Sequence, residues 1–231
     1  MNVSFLIPTY HKGLFNLKKA LASIFDTVSD PDQIEVLFRL DDGDTEALDF
    51  INQYIEENNS YNIKKIIGER YGYIKQYKYM NELASHSKGN FICPFPDDYM
   101  IHTENWDISL EKFLNKSVVL KPSEIYHIKH YGTPSEYTTV PSTNICPFIS
   151  HLIYKAMGYM SPVIAYDSWI DYISKQLKIK REVDMKITHF KTTNSLRKYR
   201  RNEFSKAKSL LKADTEKVKK YIRKLNKKRG I

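Results

Sequence analysis

Two pairs of adjacent aspartates are the first groups in this sequence whose type and spacing could do chemistry. Asp97 and Asp98 follow a short apolar run, and adjacent residues of an extended chain point to opposite sides. We therefore expect one of them to bind a metal and the other to have a separate partner. A carboxylate at a strand end suits Mg²⁺ or Mn²⁺, which prefer oxygen ligands and take the rest from water and phosphates. A solvated turn or a helix cap is the competing interpretation.

The second pair lies in "LDDGD" at residues 40–44. Asp44 is placed to cap the helix that follows, which leaves Asp41 or Asp42 to accept hydrogen bonds from a base or a sugar. Tyr10 ends the apolar run "FLIPT" and offers a flat ring suited to stacking on a base, although a packed surface tyrosine is the commoner outcome. None of these groups is specific by itself, so their meaning depends on the elements that position them.

Apolar periodicity predicts strands and helices that alternate along the first half of the chain. The expected strands are 2–7, 34–40, 63–67 and 91–95, and the expected helices are 14–28, 45–58 and 73–87. This alternation predicts an α/β fold, a Rossmann-type mainly parallel sheet flanked by helices. Such sheets bind ligands at the carboxyl ends of their strands, so the three polar clusters should converge on one cleft.

The second half is less regular and ends in a basic tail. Helices are expected at 150–158 and 167–177 and a strand at 184–190, whereas 121–147 shows few clear elements. Residues 196–231 contain fifteen Lys or Arg against three acidic residues, a balance of +12 that leaves −3 for the rest of the +9 chain. A DNA-binding function for the whole chain loses its main support, and nucleic acid is an unlikely partner. An apolar stripe in the tail could pack on the domain and leave the basic face for an anionic membrane surface.

Composition limits the other function classes. With 231 residues, 42% of them hydrophobic, the chain can form one large domain or two small ones, and we place a boundary between a domain at 1–194 and the tail at 195–231. Two cysteines without ligand spacing argue against a disulfide framework or a zinc site. No signal peptide or membrane span is expected, so the predicted location is cytoplasmic, with peripheral attachment to a membrane as the alternative. P-loop and dinucleotide-binding glycine patterns do not occur.

Four segments together resemble one enzyme family. They are "VSFLIPTYHK", "EVLFRLDDGDTEAL", "MNELASHSKGNFICPFPDDYMIHTENWDISL" and "YDSWIDYISKQL", in the order and spacing of family 2 glycosyltransferases with the GT-A fold. The resemblance covers 2–190 and is thin between 116 and 161. It implies a GT-A-like fold and a nucleotide-sugar site in which the first segment (Pro8, Thr9 and Tyr10) binds the nucleotide, with Tyr10 stacked on the base.

The resemblance also implies roles for the paired aspartates. Asp41 is the more favoured contact to the base and ribose, with Asp42 as a second candidate, while Asp97 would bind the ribose and Asp98 the metal. The sequence departs from the family at two positions. Pro96 replaces the first acidic residue of the family's Asp-x-Asp motif, and Asp44 stands where serine is usual.

The same resemblance suggests a catalytic base and a second metal ligand. Asp167 stands where inverting members carry their base, and Asp171, one helical turn later, is the runner-up. A simple helix cap is the alternative role for Asp167. His189 is similar to the late histidine that completes the metal site in some GT-A enzymes, and an ordinary, partly buried histidine is its alternative.

These implications predict a metal-dependent, inverting glycosyltransferase. It would use Mn²⁺ or Mg²⁺ to move a hexosyl group from a nucleotide sugar, with UDP favoured, to a glycan or another hydroxyl acceptor. Two alternatives remain open at this point. One is a non-catalytic nucleotide-sugar or glycan-binding protein on the same fold, supported by Pro96, and the other is a nucleic-acid-binding module built around the tail.

Overall fold

The computed structural model describes residues 2–128, 138–139, 146–190 and 197–229. Its strands are β1 (Val3–Thr9), β2 (Ile34–Asp41), β3 (Asn62–Gly68), β4 (Phe91–Pro94), β5 (Tyr99–Ile101), β6 (Val119–Ile128), β7 (Thr138–Thr139), β8 (Phe148–Ser150) and β9 (Lys180–Phe190). Its helices are α1 (Leu14–Phe25), α2 (Thr45–Glu57), α3 (Gln76–His86), α4 (Ile108–Glu111), α5 (His151–Met157), α6 (Tyr166–Gln176), α7 (Arg197–Lys206) and α8 (Lys208–Arg229).

The strands form one sheet in the order β3-β2-β1-β4-β8-β6-β9-β5, with β7 paired to β6. The first four strands are parallel, and β6 is parallel to β9. β8 is antiparallel to both β4 and β6, and β5 is antiparallel to β9. The α/β class and the mainly parallel sheet predicted from the sequence are therefore confirmed.

Helices cover both faces of the sheet, which explains the nearly continuous apolar runs of the first strands. Neighbouring residues of β1 enter different cores because side chains alternate across a strand. Phe5 packs in one core with Trp106, and Leu6 packs in the other with Trp169. Helices therefore pack on both faces of the sheet, and the polar groups of the site lie at the carboxyl ends of its strands.

The structure adds elements that the sequence pattern did not predict. β5, β6 and β8 were not expected, β9 begins at Lys180 instead of residue 184, and α3 begins at Gln76 after a single 3₁₀ turn. β6 carries Pro122 and Ser123 within its length and shows a register irregularity there against β9. This segment forms a strand because it pairs with β8 and β9, which lie far along the chain, and its local sequence pattern does not predict one.

The apolar face of the tail packs on the domain. Leu211 and Val218 of α8 are buried in the same core as Trp169 of α6. The fully buried carboxylate of Asp214 accepts hydrogen bonds from the Tyr159 hydroxyl at 2.6 Å and from the Trp169 indole at 3.2 Å. The predicted boundary at 194/195 lies outside the described residues. Among the residues that are described, no helix is long and apolar enough to cross a bilayer.

Candidate active site

The three polar clusters meet at the carboxyl edge of the sheet. Asp44 caps α2 by accepting from the backbone N–H of Ala47, as expected, and its other oxygen accepts from the backbone N–H of His11 at 3.0 Å. That contact joins the loop after β2 to the loop after β1. Gly13 of the β1 loop lies against Asp97, since a Cβ placed on Gly13 would stand 1.7 Å from Asp97 Oδ2. A side chain at position 13 would displace the Asp97 carboxylate, so glycine lets this carboxylate lie against the loop after β1.

The end of β1 presents the groups expected to hold a nucleotide. Tyr10 is 47% exposed, so part of this residue is accessible to a ligand. Thr9 is buried, and its hydroxyl oxygen has no hydrogen-bond partner among the described residues. Pro8, which precedes it, is half-buried. An unsatisfied buried hydroxyl beside an exposed aromatic ring is the arrangement expected where a polar ligand completes the site.

Asp41 ends β2 and is held in a polar network. Its Oδ1 accepts a hydrogen bond from the Tyr79 hydroxyl at 2.7 Å, and its Oδ2 lies 3.6 Å from Nε of the exposed Arg70. Asp42 is exposed, and its backbone N–H donates to the carbonyl of Gly68. Asp41 is therefore the more strongly oriented of the two candidates.

Arg39 supports this region and was missed in the sequence. Its guanidinium is fully buried and donates to Glu82 at 2.7 Å and to the carbonyl of Glu69 at 2.9 Å. Its other contacts include the carbonyls of Leu40 and Gly68, the carboxylate of Asp41 at 4.0 Å and the rings of Tyr71 and Tyr79. An arginine in the middle of the apolar run of β2, residues 36–40, is the signal that could have found it, because a buried charge needs several partners.

Asp97 lies in an environment that opposes its ionised form. Burial, reinforced by the neighbouring charge of Asp98, raises the pKa of Asp97 to about 7. Two adjacent carboxylates with little water around them repel each other. A cation at this point would relieve that repulsion, so the electrostatics here suit a site for a metal and a phosphate.

Asp98 and His189 come together from segments 91 residues apart. The register of β5 on β9 brings His189 beside Tyr99, and His189 Nε2 lies 3.2 Å from Asp98 Oδ2. Asp98 Oδ1 is buried and has no hydrogen-bond partner among the described residues. The two residues that the resemblance proposed as metal ligands are therefore neighbours.

This donor set fits a divalent cation that takes its remaining ligands from substrate. An orphaned carboxylate oxygen and an imidazole are ligands that Mn²⁺ accepts, and hard cations bound to nucleotides keep several positions for phosphate and water. No group of three or more potential ligand side chains occurs within the described part of the chain. Asp98 and His189 could therefore supply at most part of a metal's ligands, with the rest coming from water or substrate.

Asp167 lies in the first turn of α6, which begins at Tyr166 with Ala165 as its N-cap residue. Its Oδ1 accepts from the backbone N–H of Ser168 at 2.7 Å. Burial raises the pKa of Tyr99, and the charges of Asp98 and Asp167 add to that effect. Asp167 is therefore within electrostatic range of Tyr99, which follows Asp98 and pairs with His189 of β9.

Asp171 is engaged elsewhere. Its carboxylate forms ion pairs with Lys175 at 2.6 Å and with Lys180 at 2.5 Å. Both of its oxygens are therefore paired with lysine ammonium groups.

Asn81 of α3, a further residue missed in the sequence, fixes the segment that leads into α6. Its Oδ1 accepts from the backbone N–H groups of Met160 and Ser161 at 2.8 and 3.2 Å, and its Nδ2 donates to the Ser161 carbonyl at 2.8 Å. One side chain thus satisfies three backbone groups of a loop. The loop that precedes α6 is therefore bound to α3, the helix that also carries Tyr79.

Comparisons with known proteins find similarity in structure alone. No family model matches the sequence, and no curated protein matches it. Among solved structures, TarS 1-349 of S. aureus in complex with UDP shares 18% identity at a TM-score of 0.60, covering 81% of this chain and 60% of that one. A mannosyltransferase from Pyrobaculum calidifontis, in complex with GDP-Man and Mn²⁺, shares 12% identity at 0.64, covering 96% and 72%. GalNAc-T7 with UDP, GalNAc and Mn²⁺ shares 13% at 0.64, covering 84% and 44%.

These neighbours are GT-A-type glycosyltransferases, and the likeness establishes a GT-A-like fold for this chain. The fold implied by the sequence resemblance is therefore confirmed. The chain spans about 60% of the TarS fragment and less than half of GalNAc-T7.

Proposed function

We propose that this protein is a metal-dependent glycosyltransferase that moves a sugar from a nucleotide sugar to an acceptor hydroxyl. The observation that carries the proposal is the Asp98 and His189 pair, with its orphaned carboxylate oxygen, on a GT-A-like fold. A structural ion pair would not require an unsatisfied buried oxygen. Neighbouring structures that contain UDP, GDP-Man and Mn²⁺ support the same class of chemistry.

The donor would lie along the carboxyl ends of β1, β2 and β4. Tyr10 would stack on the base, Thr9 would hydrogen-bond the nucleotide with its unsatisfied hydroxyl, and Asp41 would accept from the base or the ribose. Asp42 is a second acceptor for this part of the donor, and Asp97 is placed for the ribose. UDP is the favoured nucleotide.

Asp98 and His189 would hold Mn²⁺ or Mg²⁺. When bound, the cation neutralises the charge that develops on the departing nucleoside diphosphate. The protein's own contribution is to present one carboxylate oxygen and one imidazole nitrogen at the strand edge. The pairing of β5 with β9 keeps these two groups close.

Asp167 would act as the general base of an inverting transfer. The acceptor oxygen attacks the anomeric carbon as the bond to the diphosphate oxygen breaks, and the hydroxyl proton passes to the Asp167 carboxylate. Placing Asp167 on the first turn of α6 gives it a rigid support. Attack opposite the leaving group inverts the anomeric centre.

Binding and product analysis test this function. Nucleotide sugars and their diphosphates should raise the melting temperature with Mn²⁺ and much less after chelation. Incubation with the stabilising donor and candidate hydroxyl acceptors should yield a glycoside whose anomeric configuration, measured by NMR, is opposite to that of the donor. Equal stabilisation with and without metal would contradict the metal assignment, and retention of configuration would contradict the inverting mechanism.

A non-catalytic nucleotide-sugar-binding protein is the second candidate, because Pro96 removes one acidic group of the family motif. It predicts metal-dependent binding of an intact nucleotide sugar without transfer and without donor hydrolysis. Prolonged incubation of the complex, with release of nucleoside diphosphate as the measurement, separates the two candidates.

The outer face of α8 is proposed to hold the protein at an anionic membrane surface. Lys212, Lys220, Arg223, Lys224 and Lys227 are all exposed there, while the apolar stripe of the helix is already buried against the domain. Attraction would therefore be electrostatic and sensitive to salt. Changing Lys220, Lys224 and Lys227 together to Glu should abolish sedimentation with phosphatidylserine vesicles and leave the fold intact. Unchanged sedimentation would contradict the proposal.

A further inference from the structure

Asp44 connects two loops of the site through its two carboxylate oxygens. Oδ1 accepts from the backbone N–H of Ala47 at 3.3 Å and so caps α2. Oδ2 accepts from the backbone N–H of His11 at 3.0 Å and lies 3.2 Å from the His11 Nδ1. Burial would raise the pKa of Asp44, but hydrogen bonds from His11 and Ala47 outweigh it and lower the pKa below its ordinary value. At neutral pH the carboxylate is therefore ionised and accepts from both loops.

The bond to His11 fixes the peptide group that follows Tyr10. The N–H of this group donates to Asp44, and its carbonyl accepts from the backbone N–H of Gly13 at 2.9 Å. Both ends of one planar group are therefore held. Because the orientation of this plane sets ψ of Tyr10, it also sets the direction in which the Tyr10 side chain leaves the backbone.

The ring of Tyr10 depends on this backbone for its position. Tyr10 is about half exposed, and its ring meets the ring of His11 edge-on, with centroids 5.9 Å apart. A side chain with so much of its surface in water receives less orientation from packing than a core aromatic does. Asp44 thus acts on Tyr10 through the intervening peptide group.

Capping alone does not explain an aspartate at position 44. Serine, which is usual here in the family that the sequence resembles, caps helices about as well as aspartate. Its single oxygen stands closer to the backbone than the carboxylate oxygens do, so it can take the place of one of them but not of both. We propose that Asp44 is a positioning residue, which orders Tyr10 before the donor binds so that the ring can stack on the base.

This inference rests on the proposed function, in which Tyr10 stacks on the base, and deepens it. A ring that is ordered in advance loses less conformational freedom when the ligand arrives, and the difference appears as affinity. Stacking also requires that a ring face be presented to the base. The effect of Asp44 should therefore be confined to ligands that carry a base.

The test is calorimetric titration of UDP with Mn²⁺ against the wild type, Asp44→Ser, Tyr10→Ala and the double variant. Tyr10→Ala should lower UDP affinity at least about fivefold, the loss of one stacked base. Asp44→Ser keeps the cap and should lower UDP affinity at least about threefold, with the melting temperature within about 2 °C of the wild type. In the Tyr10→Ala background, Asp44→Ser should have no further effect, because the ring that it positions is absent.

Pyrophosphate with Mn²⁺ is the matched control ligand, because it has neither base nor ribose. The wild type and Asp44→Ser should bind it equally well. The inference is overturned if Asp44→Ser or Tyr10→Ala binds UDP as the wild type does, or if Asp44→Ser costs the same factor in the Tyr10→Ala background. A loss of pyrophosphate affinity equal to that of UDP would also overturn it.

Asp44→Asn keeps the measurement decisive if Asp44→Ser does not fold. Asparagine is a good capping residue, and its one carbonyl oxygen can accept from one of the two loops but not from both as the carboxylate does. It should show the same loss of UDP affinity and the same dependence on Tyr10. Failure of the wild type to bind UDP with Mn²⁺ would instead overturn the proposed function.

Discussion

The two parts of the candidate site, the base wall and the catalytic wall, are constructed differently. The wall that would hold the base comes from consecutive strand-helix units, and its key carboxylate, Asp41, is tied to Tyr79 and to a fully buried Arg39. The wall that would do the chemistry is assembled from segments that are distant in sequence. Asp98 lies beside His189, 91 residues later, and Asp167 lies on α6, whose Trp169 donates a hydrogen bond to Asp214 of α8. The base wall is preorganised locally, whereas the catalytic wall depends on long-range pairing. Changes in the two walls should therefore have separable effects.

The largest effect is expected from Asp167→Asn. Asparagine keeps the size of the side chain but cannot take the acceptor's proton, and a positioned carboxylate contributes about 10²- to 10⁴-fold in rate. Transfer should fall at least about 100-fold, while nucleotide and metal bind normally, because neither the base wall nor the Asp98 and His189 pair is changed. Steady-state kinetics together with UDP titration measure both quantities.

Asp171→Asn is the control on the same helix. It breaks the pairs with Lys175 and Lys180 and should cost some stability, but transfer should stay within a few-fold of the wild type. Near-normal transfer in Asp167→Asn with loss in Asp171→Asn would reverse the assignment of the base.

The next largest effect is expected from Asp98→Asn, at the proposed metal ligand of the catalytic wall. The amide removes the negative charge and half of the oxygen ligands that the orphaned carboxylate offers to a cation. UDP affinity with Mn²⁺ should fall at least about tenfold, whereas the weak affinity after chelation should not change. Equal losses with and without Mn²⁺ would show that Asp98 acts on the nucleotide directly.

Asp214→Ala tests whether the catalytic wall needs α8. Removing this buried carboxylate leaves the Trp169 indole and the Tyr159 hydroxyl unsatisfied, which should lower the free energy of unfolding by about 1–3 kcal/mol. Because Trp169 follows Asp167 on α6, kcat should fall more than UDP affinity does. Glu216→Ala, on the exposed face of the same helix, should change stability by no more than about 0.5 kcal/mol. Comparable losses in both variants would contradict a specific role for Asp214.

The sequence predicted the strands of the base wall better than those of the catalytic wall. The strands that end at Thr9 and Asp41 were predictable because buried parallel strands are nearly continuous apolar runs followed by polar clusters. β6 and the start of β9 were not, because Pro122 and the polar residues around it suit a strand only when β9 lies alongside. Asp98 and His189 were found through resemblance. Tyr79 and Asn81 were missed because their partners are mostly backbone groups, which no side-chain pattern reveals.

The smallest effect is expected at the amino end of the base wall, where Glu35 of β2 is hydrogen-bonded to side chains of β1 and β3. It accepts from Ser4 Oγ at 2.6 Å and Lys64 Nζ at 2.8 Å. Burial would raise the pKa of Glu35, but hydrogen bonds from Lys64, Ser4 and the Lys88 backbone outweigh it and lower the pKa below its ordinary value. The stability this carboxylate contributes is therefore present above the unfolded-state pKa and is lost as pH falls through the lower folded-state pKa.

Glu35→Gln should accordingly lower the free energy of unfolding at pH 7 by about 1 kcal/mol, with UDP affinity unchanged because the residue lies at the amino ends of the strands. The difference from the wild type should shrink as the pH falls below the unfolded-state value, since the wild-type carboxyl is then protonated as well. Urea unfolding between pH 7 and pH 3 measures it. A difference that stays constant over this range would mean that the charge of Glu35 contributes nothing, and a loss of UDP affinity would mean that the base wall is coupled to the far end of its own strands.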